Sequence, residues 1–422
     1  MLCYPEKSSS MADVYPFRAY RYSPQAGRLE DLATQPYDKI TPEMRRRYLS
    51  LSPYNLVRII LGEPQPDDSE KDNIYKRAAR YLNEWIEKGI LRQDPEEAFY
   101  AYFQEFVDPD SGERLLRKGF IGLGAVEDYS AGIVHRHERT LSGPKQDRLE
   151  LLRHTRIHFG QIFMLYPDPE GAVDKILEEA TAGSPLAELA DEYSAVHRLW
   201  RISEPIYVAS IRHHMTDKKL IIADGHHRYE TALAFRDEHP ELADARKVMM
   251  TFVNLYSPGL RILATHRLLD RLDRTRLLEA QGRDFRLSML EGTEELRRLW
   301  AEPHAGLVRI GLAAGPHQLF LIEAERPADM LDVTFLHERV LGDTLGISEE
   351  EVRKEKRIRY VRGIDAALAA VRAGEAEAAF LLEPVAVGEV ARIALAGGVM
   401  PQKSTDFYPK LLSGLTAYRL EK

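Results

Sequence analysis

The residues best suited to chemistry form one short run, which we call the anion turn (224–228). Its members are Asp224, Gly225, His226, His227 and Arg228. The apolar segment before it predicts a strand, and the segment after it predicts a helix. A helix N-terminus offers free N–H groups to phosphate, arginine can grip two oxygens, and glycine permits close backbone approach. The run therefore predicts a phosphate-binding turn, in which Asp224 caps the helix or holds a metal ion or a substrate hydroxyl.

A second group of ionisable residues lies in a polar segment that follows the first glycine-rich strand. Its members are His135, Arg136, His137, Glu138, Arg139, Thr140, Lys145, Asp147 and Arg148. Such a density of charge on a turn-rich segment is typical of a functional loop, although a solvated loop is the alternative. Cationic neighbours and burial shift a carboxyl pKa in opposite directions, so Glu138 is a candidate general base. Asp38 and Asp224 are its rivals.

The segment Met400–Lys410 alternates polar groups with aromatic rings. Its candidate phosphate ligands are Lys403, Ser404, Thr405 and Lys410. Lysine ammonium groups suit phosphate, and the neighbouring rings suit a base or ribose, so the segment fits a nucleotide. Arg267, in Thr265-His266-Arg267 after the apolar run 260–264, is predicted to lie at a strand end and to add another cation.

Two histidines show the spacing of zinc ligands on a predicted helix. His154 and His158 lie four residues apart within Leu149–His158. Arg153 and Arg156 on the same helix would repel a cation, so we expect an anion-facing or solvated helix instead. No metal ligand is therefore assigned.

Composition limits the class of protein. The chain has 422 residues, 44% of them hydrophobic, a formal charge of −8 and a single cysteine. One cysteine excludes a disulfide framework or an iron–sulfur cluster, and the acidic balance argues against nucleic-acid binding. No run of about 18 apolar residues predicts a membrane span. We therefore expect a cytoplasmic protein that acts on a small molecule and contacts neither membrane nor nucleic acid.

The elements that must position these residues alternate without a regular βαβ pattern. We predict helices at 42–49, 72–89, 149–158, 228–238, 268–279, 364–372 and 387–396. We predict strands at 57–61, 98–106, 117–125, 199–211, 219–223, 248–256, 308–312, 318–322 and 378–382, the second and third forming a hairpin. The fold class is mixed α/β (α+β). We expect a disordered extension at 1–12, an N-terminal α/β region at 13–185, a central region at 186–330 and a C-terminal α/β region at 331–422, or one family-wide unit.

The motif of the anion turn resembles the phosphate-binding motif of the sulfiredoxin/ParB-like fold. In its full form, Asp-Gly-His-His-Arg, it resembles that of free-serine kinases built on this fold. The resemblance implies that the turn contacts the phosphates of ATP or ADP, with Mg²⁺, and that a separate glutamate acts as base toward a serine hydroxyl. It covers five residues of the chain.

A second resemblance extends over about residues 13–420, to a family known as domain of unknown function 1015. The matching stretches are Pro36-Tyr37-Asp38, His137-Glu138 with Thr140 and Arg148, the run 223–229, Thr265-His266-Arg267 and Met400–Lys410. This family implies no reaction.

The leading hypothesis is a nucleotide-dependent phosphotransferase that acts on a small hydroxylated metabolite, with serine metabolism the first to test. His226, His227 and Arg228 would hold phosphate, Asp224 would orient a hydroxyl or Mg²⁺, and Glu138 would be the base. Two alternatives stay open. A nucleotide-binding regulator would use the same groups without turnover, and a metal-dependent hydrolase would use Asp224 with histidines as ligands.

Overall fold

The structure is a computed structural model that describes residues 12–138, 142–304 and 306–421. The described residues divide into two compact units. The first comprises those within Met1–Leu260, Ala394–Gly398 and Pro409–Lys422, and the second those within Arg261–Ile393 and Val399–Tyr408. The boundaries that we expect near residues 185 and 330 fall inside these units. The expected extension at 1–12 lies outside the described residues except for Ala12, which is buried.

The first unit is built on a mixed sheet. In spatial order its strands are Val134–His135, Leu220–Asp224, Ile162–Tyr166, Lys247–Asn254, Arg114–Ala125, Phe99–Val107, Val196–Ile202 and Ala187–Ala190, with Val14–Tyr15 pairing beside Arg114–Ala125. Leu220–Asp224 runs parallel to Val134–His135, and Lys247–Asn254 runs parallel to Ile162–Tyr166. The other pairings are antiparallel, including the predicted hairpin of Phe99–Val107 with Arg114–Ala125. Short pairs form outside this sheet: Tyr20–Tyr22 with Leu91–Gln93, and Ile157–His158 with Tyr418–Arg419.

The first unit also contains helices. They are Pro42–Leu51, Val57–Ile60, Ile74–Glu87, Ser142–Thr155, Ala172–Ala180, Pro205–Met215 and His226–Glu238. The last of these buries Tyr229, Ala232 and Phe235 at intervals of three residues, the spacing of one helix face. The helix follows the anion turn, and this buried face holds it against the sheet.

The second unit has an antiparallel sheet of its own. In spatial order its strands are Arg286–Leu290, Leu319–Glu325, Leu307–Ala313, Ala378–Leu381, Thr265–Leu269 and Ile358–Arg362, and Arg261–Leu263 pairs separately with Asp406–Tyr408. Its helices are Arg274–Ala280, Thr293–Ala301, Asp332–Phe335, the π-helix Leu336–Thr344, Glu349–Arg353, Ile364–Arg372 and Val387–Leu395, the last of which belongs to this unit as far as Ile393. Both units combine helices and sheets, so the mixed α/β class is confirmed.

Three predicted elements are wrong. Residues 57–61 were expected as a strand but form the helix Val57–Ile60, because the Asn55 side chain accepts the Val57 N–H at 3.0 Å and favours a helical turn. The strand expected over 199–211 ends at Ile202, and Pro205 then begins a helix, a position that proline favours. The helix expected over 268–279 starts only at Arg274, where Asp273 caps it.

No helix within the described residues is both long enough and apolar enough to cross a bilayer.

Candidate functional site

The anion turn joins the edge region of the first sheet to a helix, as its sequence predicts. The strand Leu220–Asp224 carries an irregularity in its pairing between Ile222 and Asp224, which re-aims the end of the strand. Gly225 follows with φ of 96°, a left-handed conformation that glycine adopts without strain. The helix His226–Glu238 begins at the next residue. Along the chain, a carboxylate is therefore followed by a left-handed glycine and then by a helix N-terminus.

Arg228 is held by two contacts inside the first unit. Its Nη2 donates to Asp224 Oδ2 at 3.0 Å, and its Nη1 donates to the Gln161 carbonyl oxygen at 2.5 Å. A Cβ on Gly225 would lie 3.0 Å from Nε and Nη2 of Arg228, and a Cβ on Gly160 would lie 3.1 Å from Nη1. Two glycines therefore leave the space in which the guanidinium lies.

Lys410 reaches the same carboxylate from a distant part of the chain. Its Nζ lies 3.6 Å from Asp224 Oδ1, and its side chain is only 7% exposed. Gln104 Nε2 donates to the Lys410 carbonyl oxygen at 2.9 Å, and Arg117 donates to the neighbouring Pro409 carbonyl oxygen. Buried side chains of the hairpin thus position the backbone of Lys410.

Asp224 is ionised despite its surroundings. Burial acts to raise its pKa, but the charges of Lys410, Arg228 and Lys39 hold the pKa well below its ordinary value. Asp224 is thus an anion shared by several cations, with a side chain that is 25% exposed.

Arg117 is a further cation that interacts with this carboxylate. Its side chain is 1% exposed, Nε donates to Gln104 Oε1 at 3.0 Å, and the guanidinium lies 4.7 Å from the centre of the Phe163 ring. Burial lowers its pKa to about 9, while Asp224 and Tyr102 oppose that change. Arg117 therefore remains charged at neutral pH.

The structure brings His137 and His226 together. Their ring centres lie 4.7 Å apart with planes at 79°, an edge-to-face contact. Burial lowers the pKa of His137 to about 4, and burial together with the nearby His137 ring lowers the pKa of His226 well below its ordinary value. Both rings are therefore neutral at pH 7. Within the described residues, the buried Nε2 of His226 has no hydrogen-bond partner, which is unusual for a native polar group.

The candidate bases lie in different environments. Glu138 is half-buried and follows His137 directly, next to the strand Val134–His135 that pairs with Leu220–Asp224. Asp38 is exposed, within the short 3₁₀ helix Tyr37–Lys39. Arg139 and Thr140 lie outside the described residues. Two cations of the predicted polar segment form ion pairs with Glu230. Lys145 lies 4.0 Å and Arg136 lies 3.6 Å from its carboxylate.

A cavity of about 70 Å³ adjoins Arg228 in the first unit. Tyr37, Arg148 and His158 also line it. It is too small for a nucleoside, since ligand pockets typically measure about 300–1,000 Å³.

The remaining predicted phosphate ligands belong to the second unit. Arg267 is buried, its Nε donates to His337 Nε2 at 3.2 Å and its Nη2 donates to the Lys403 carbonyl oxygen at 3.2 Å. Ser404 Oγ donates to the Pro401 carbonyl oxygen at 2.5 Å, while Lys403 Nζ lies 4.0 Å from Glu355 and Thr405 is half-buried. Arg267 also lies inside the strand Thr265–Leu269, so its predicted place at a strand end is wrong. The role of these four residues at a phosphate stays a prediction.

The predicted helical pair His154 and His158 is also wrong. The helix ends at Thr155, Arg156 adopts a φ of 50°, and His158 lies on the strand Ile157–His158. His158 then stacks on Tyr418 with ring centres 6.2 Å apart. The left-handed residue between them breaks the four-residue spacing that a helical metal site requires.

Sequence reasoning missed Arg117, Gln104, Gln161 and Lys39. The sequence around Arg117 does not alternate, because Leu115 and Leu116 are both apolar, and only the structure shows which of them faces inward. Within Arg114–Ala125, burial alternates so that Leu115 and Arg117 are buried while Leu116 is exposed. A charged residue on the inward face of a strand indicates a buried partner or ligand. The other three residues carry no local pattern that links them to the anion turn.

The comparison with family models identifies the family. Residues 14–345 match the model described as Protein of unknown function (DUF1015). The chain therefore belongs to this family, as its sequence resemblance indicates. No curated protein matches the chain.

Several solved structures resemble parts of the fold. A conserved hypothetical protein from Pyrococcus furiosus matches with a TM-score of 0.37 and 14% identity, over 68% of this chain and 92% of that one. A free serine kinase in complex with AMP matches with a TM-score of 0.38 and 12% identity, over 68% and 88%. C-terminally truncated SbnI from Staphylococcus aureus matches with a TM-score of 0.36 and 10% identity, over 69% and 85%.

Proposed function

We propose that the first unit binds the phosphate groups of a nucleotide at the anion turn and transfers phosphate to a small hydroxylated metabolite, serine being the first to test. The proposal that this unit binds phosphate depends on one observation. Four cationic side chains, Lys410, Arg228, Lys39 and Arg117, act on the single carboxylate of Asp224. These cations lie around the start of the helix, where we propose that the phosphate groups bind.

The helix His226–Glu238 adds to this charge. Its first N–H groups have no partners within a regular helix, and the helix dipole favours an anion at this end. The neutral His226 ring offers a buried nitrogen that a ligand could satisfy. Charge, backbone donors and an imidazole thus converge at one turn, the combination that phosphoryl transfer uses for positioning and charge neutralisation.

The fit to Mg²⁺ is poor at Asp224. Each of its oxygens lies close to a cation, Oδ2 to Arg228 and Oδ1 to Lys410. A divalent ion at this carboxylate would meet two like charges at short range. We therefore assign Asp224 to the positioning of Arg228 and Lys410. The same repulsion argues against a metal-dependent hydrolase centred on Asp224.

The proton acceptor in this proposal is Glu138. It lies one residue from His137, whose ring contacts His226 at the start of the helix. A positioned base typically contributes about 10²–10⁴-fold in rate. Asp38 is the rival candidate for the base. Because Asp38 is exposed, we favour Glu138, which is half-buried.

The binding proposal is tested by calorimetry with ADP, ATP and pyrophosphate on the full chain. Arg228→Ala should weaken binding by about 10- to 150-fold, because a hydrogen bond to a charged group is worth roughly 1.5–3 kcal/mol. Arg236→Ala is the matched control, since Arg236 lies on the same helix and bonds the Val126 carbonyl oxygen instead. Equal affinity of wild type and Arg228→Ala would remove the anion turn from the proposal.

A nucleotide-binding regulator is the second candidate function. It is favoured because the pairing of Asp224 with Arg228 and Lys410 removes this carboxylate from the three candidate bases, which leaves Glu138 and the exposed Asp38. A mass-spectrometric screen of ATP and ADP against hydroxylated metabolites separates the two. Nucleotide binding without any phosphorylated product would favour the regulator.

A further inference from the structure

The second unit contains a cavity of about 700 Å³, within the range of ligand pockets. Apolar side chains such as Trp300 form part of its wall. His304, Asp332 and Glu383 also line it, and each offers one metal-ligating atom such that all three atoms lie within 4.8 Å of one another. Imidazole and carboxylate donors around one metal ion lie about 2.0–2.2 Å from it. The three donors are therefore close to the separation that a shared ion requires.

The orientation of the His304 ring is fixed from outside this group. Its Nδ1 lies 2.7 Å from the Glu302 carbonyl oxygen. A carbonyl oxygen can only accept, so Nδ1 carries the proton and Nε2 of the neutral ring has a lone pair. Metal-ligating histidines commonly donate their other ring N–H to a backbone carbonyl in this way.

That lone pair faces a carboxylate. His304 Nε2 lies 3.0 Å from Glu383 Oε2. A neutral imidazole nitrogen and an ionised carboxylate oxygen are both acceptors, and two acceptors at this distance repel unless a positive species lies between them. Either an extra proton or a metal cation must therefore be shared by these atoms.

Asp332 has the features of an oriented third ligand. Arg326 Nη2 pairs with Asp332 Oδ1 at 2.5 Å, a contact that holds the carboxylate in place. Ligating carboxylates are themselves usually hydrogen-bonded by outer groups. The three donors with Arg326 have a net formal charge of one negative when the imidazole is neutral, so a divalent ion is electrostatically acceptable.

We propose that His304, Asp332 and Glu383 bind a divalent transition-metal ion, with its remaining coordination positions open to the cavity of the second unit. One nitrogen and two oxygen donors suit ions such as Zn²⁺, Co²⁺ or Mn²⁺. All three ligands belong to the second unit, whereas the anion turn belongs to the first.

The test uses the full chain after chelator treatment and Co²⁺ as the probe, because its visible absorption reports its coordination. We expect saturable binding of Co²⁺ that Glu383→Gln and His304→Ala each weaken at least about tenfold. Glu383→Gln is close to isosteric, so it preserves the packing if His304→Ala does not fold. His317→Ala is the control, since His317 is an exposed histidine of the same unit.

Two results would overturn the proposal. One is the absence of saturable Co²⁺ binding by the wild-type chain, which would assign the 3.0 Å contact to a protonated His304 paired with Glu383. The other is Co²⁺ binding that all three variants retain at wild-type affinity, which would place the ion elsewhere.

Discussion

Gly225 is the position at which a single methyl group tests the geometry of the anion turn. Its φ of 96° lies in the left-handed region, where a residue with a Cβ costs roughly 1–2 kcal/mol. A Cβ at this position would also lie 3.0 Å from Nε and Nη2 of Arg228. Gly225→Ala therefore combines backbone strain with displacement of the guanidinium from Asp224.

Gly132 allows the two effects to be separated. It has φ of 67° and ψ of 21°, near the ψ of 27° at Gly225, and a Cβ there would meet no atom within 4 Å. Gly132→Ala should therefore cost a similar 1–2 kcal/mol of backbone strain and leave Arg228 in place. We expect both variants to lower the apparent Tm of the chain.

Calorimetric titration with ADP then distinguishes the variants. Only Gly225→Ala should lose ADP affinity, by about tenfold or more, which corresponds to at least 1.4 kcal/mol. The reasoning would be refuted by Gly225→Ala binding ADP as tightly as Gly132→Ala does. That result would mean that the position of Arg228 against Asp224 does not matter for the ligand.

Three further predictions concern charge in the first unit. Lys410→Met keeps the length of the side chain without its charge, so calorimetry should show weaker ADP binding and NMR titration a higher pKa of Asp224. Glu138→Gln should keep ADP binding and lose turnover in the metabolite screen, and full turnover would transfer the role of base to Asp38. Burial lowers the pKa of His137 to about 4, so the unfolded chain binds an extra proton between that value and about 6.5. The apparent Tm should therefore fall as pH drops through this window, and less steeply in His137→Asn; identical slopes would contradict the assigned burial.

Local signals were enough to predict the strand and helix around the anion turn. The strand expected at 219–223 is Leu220–Asp224, and the helix expected from residue 228 begins at His226. An apolar run, a glycine and a helical period are each properties of neighbouring residues. The helix Ile364–Arg372 was predicted with its exact bounds for the same reason, since its apolar residues follow one face.

Lys410 was predicted as a phosphate ligand beside the anion turn, but the buried contacts that hold it there could not be predicted from local patterns. Gln104 and Arg117, on the hairpin, bond to the backbone at Lys410 and Pro409. Such contacts depend on the order of strands in the sheet, which no short pattern encodes. Short apolar runs failed for a related reason. The run at 57–61 suits a strand or a helix equally, and one Asn55 side-chain bond decides between them.

An aspartate at the start of a helix that we propose to bind phosphate looks contradictory, because its charge repels phosphate. The burial of its neighbours resolves this. Arg117 and Lys410 are almost fully buried, and a buried charge without a partner is strongly destabilising. Asp224 is the counter-charge that allows these cations and Arg228 to lie together before any ligand binds. In the proposed function, Asp224 therefore keeps Arg228 and Lys410 in place at the start of the helix, where they would attract phosphate.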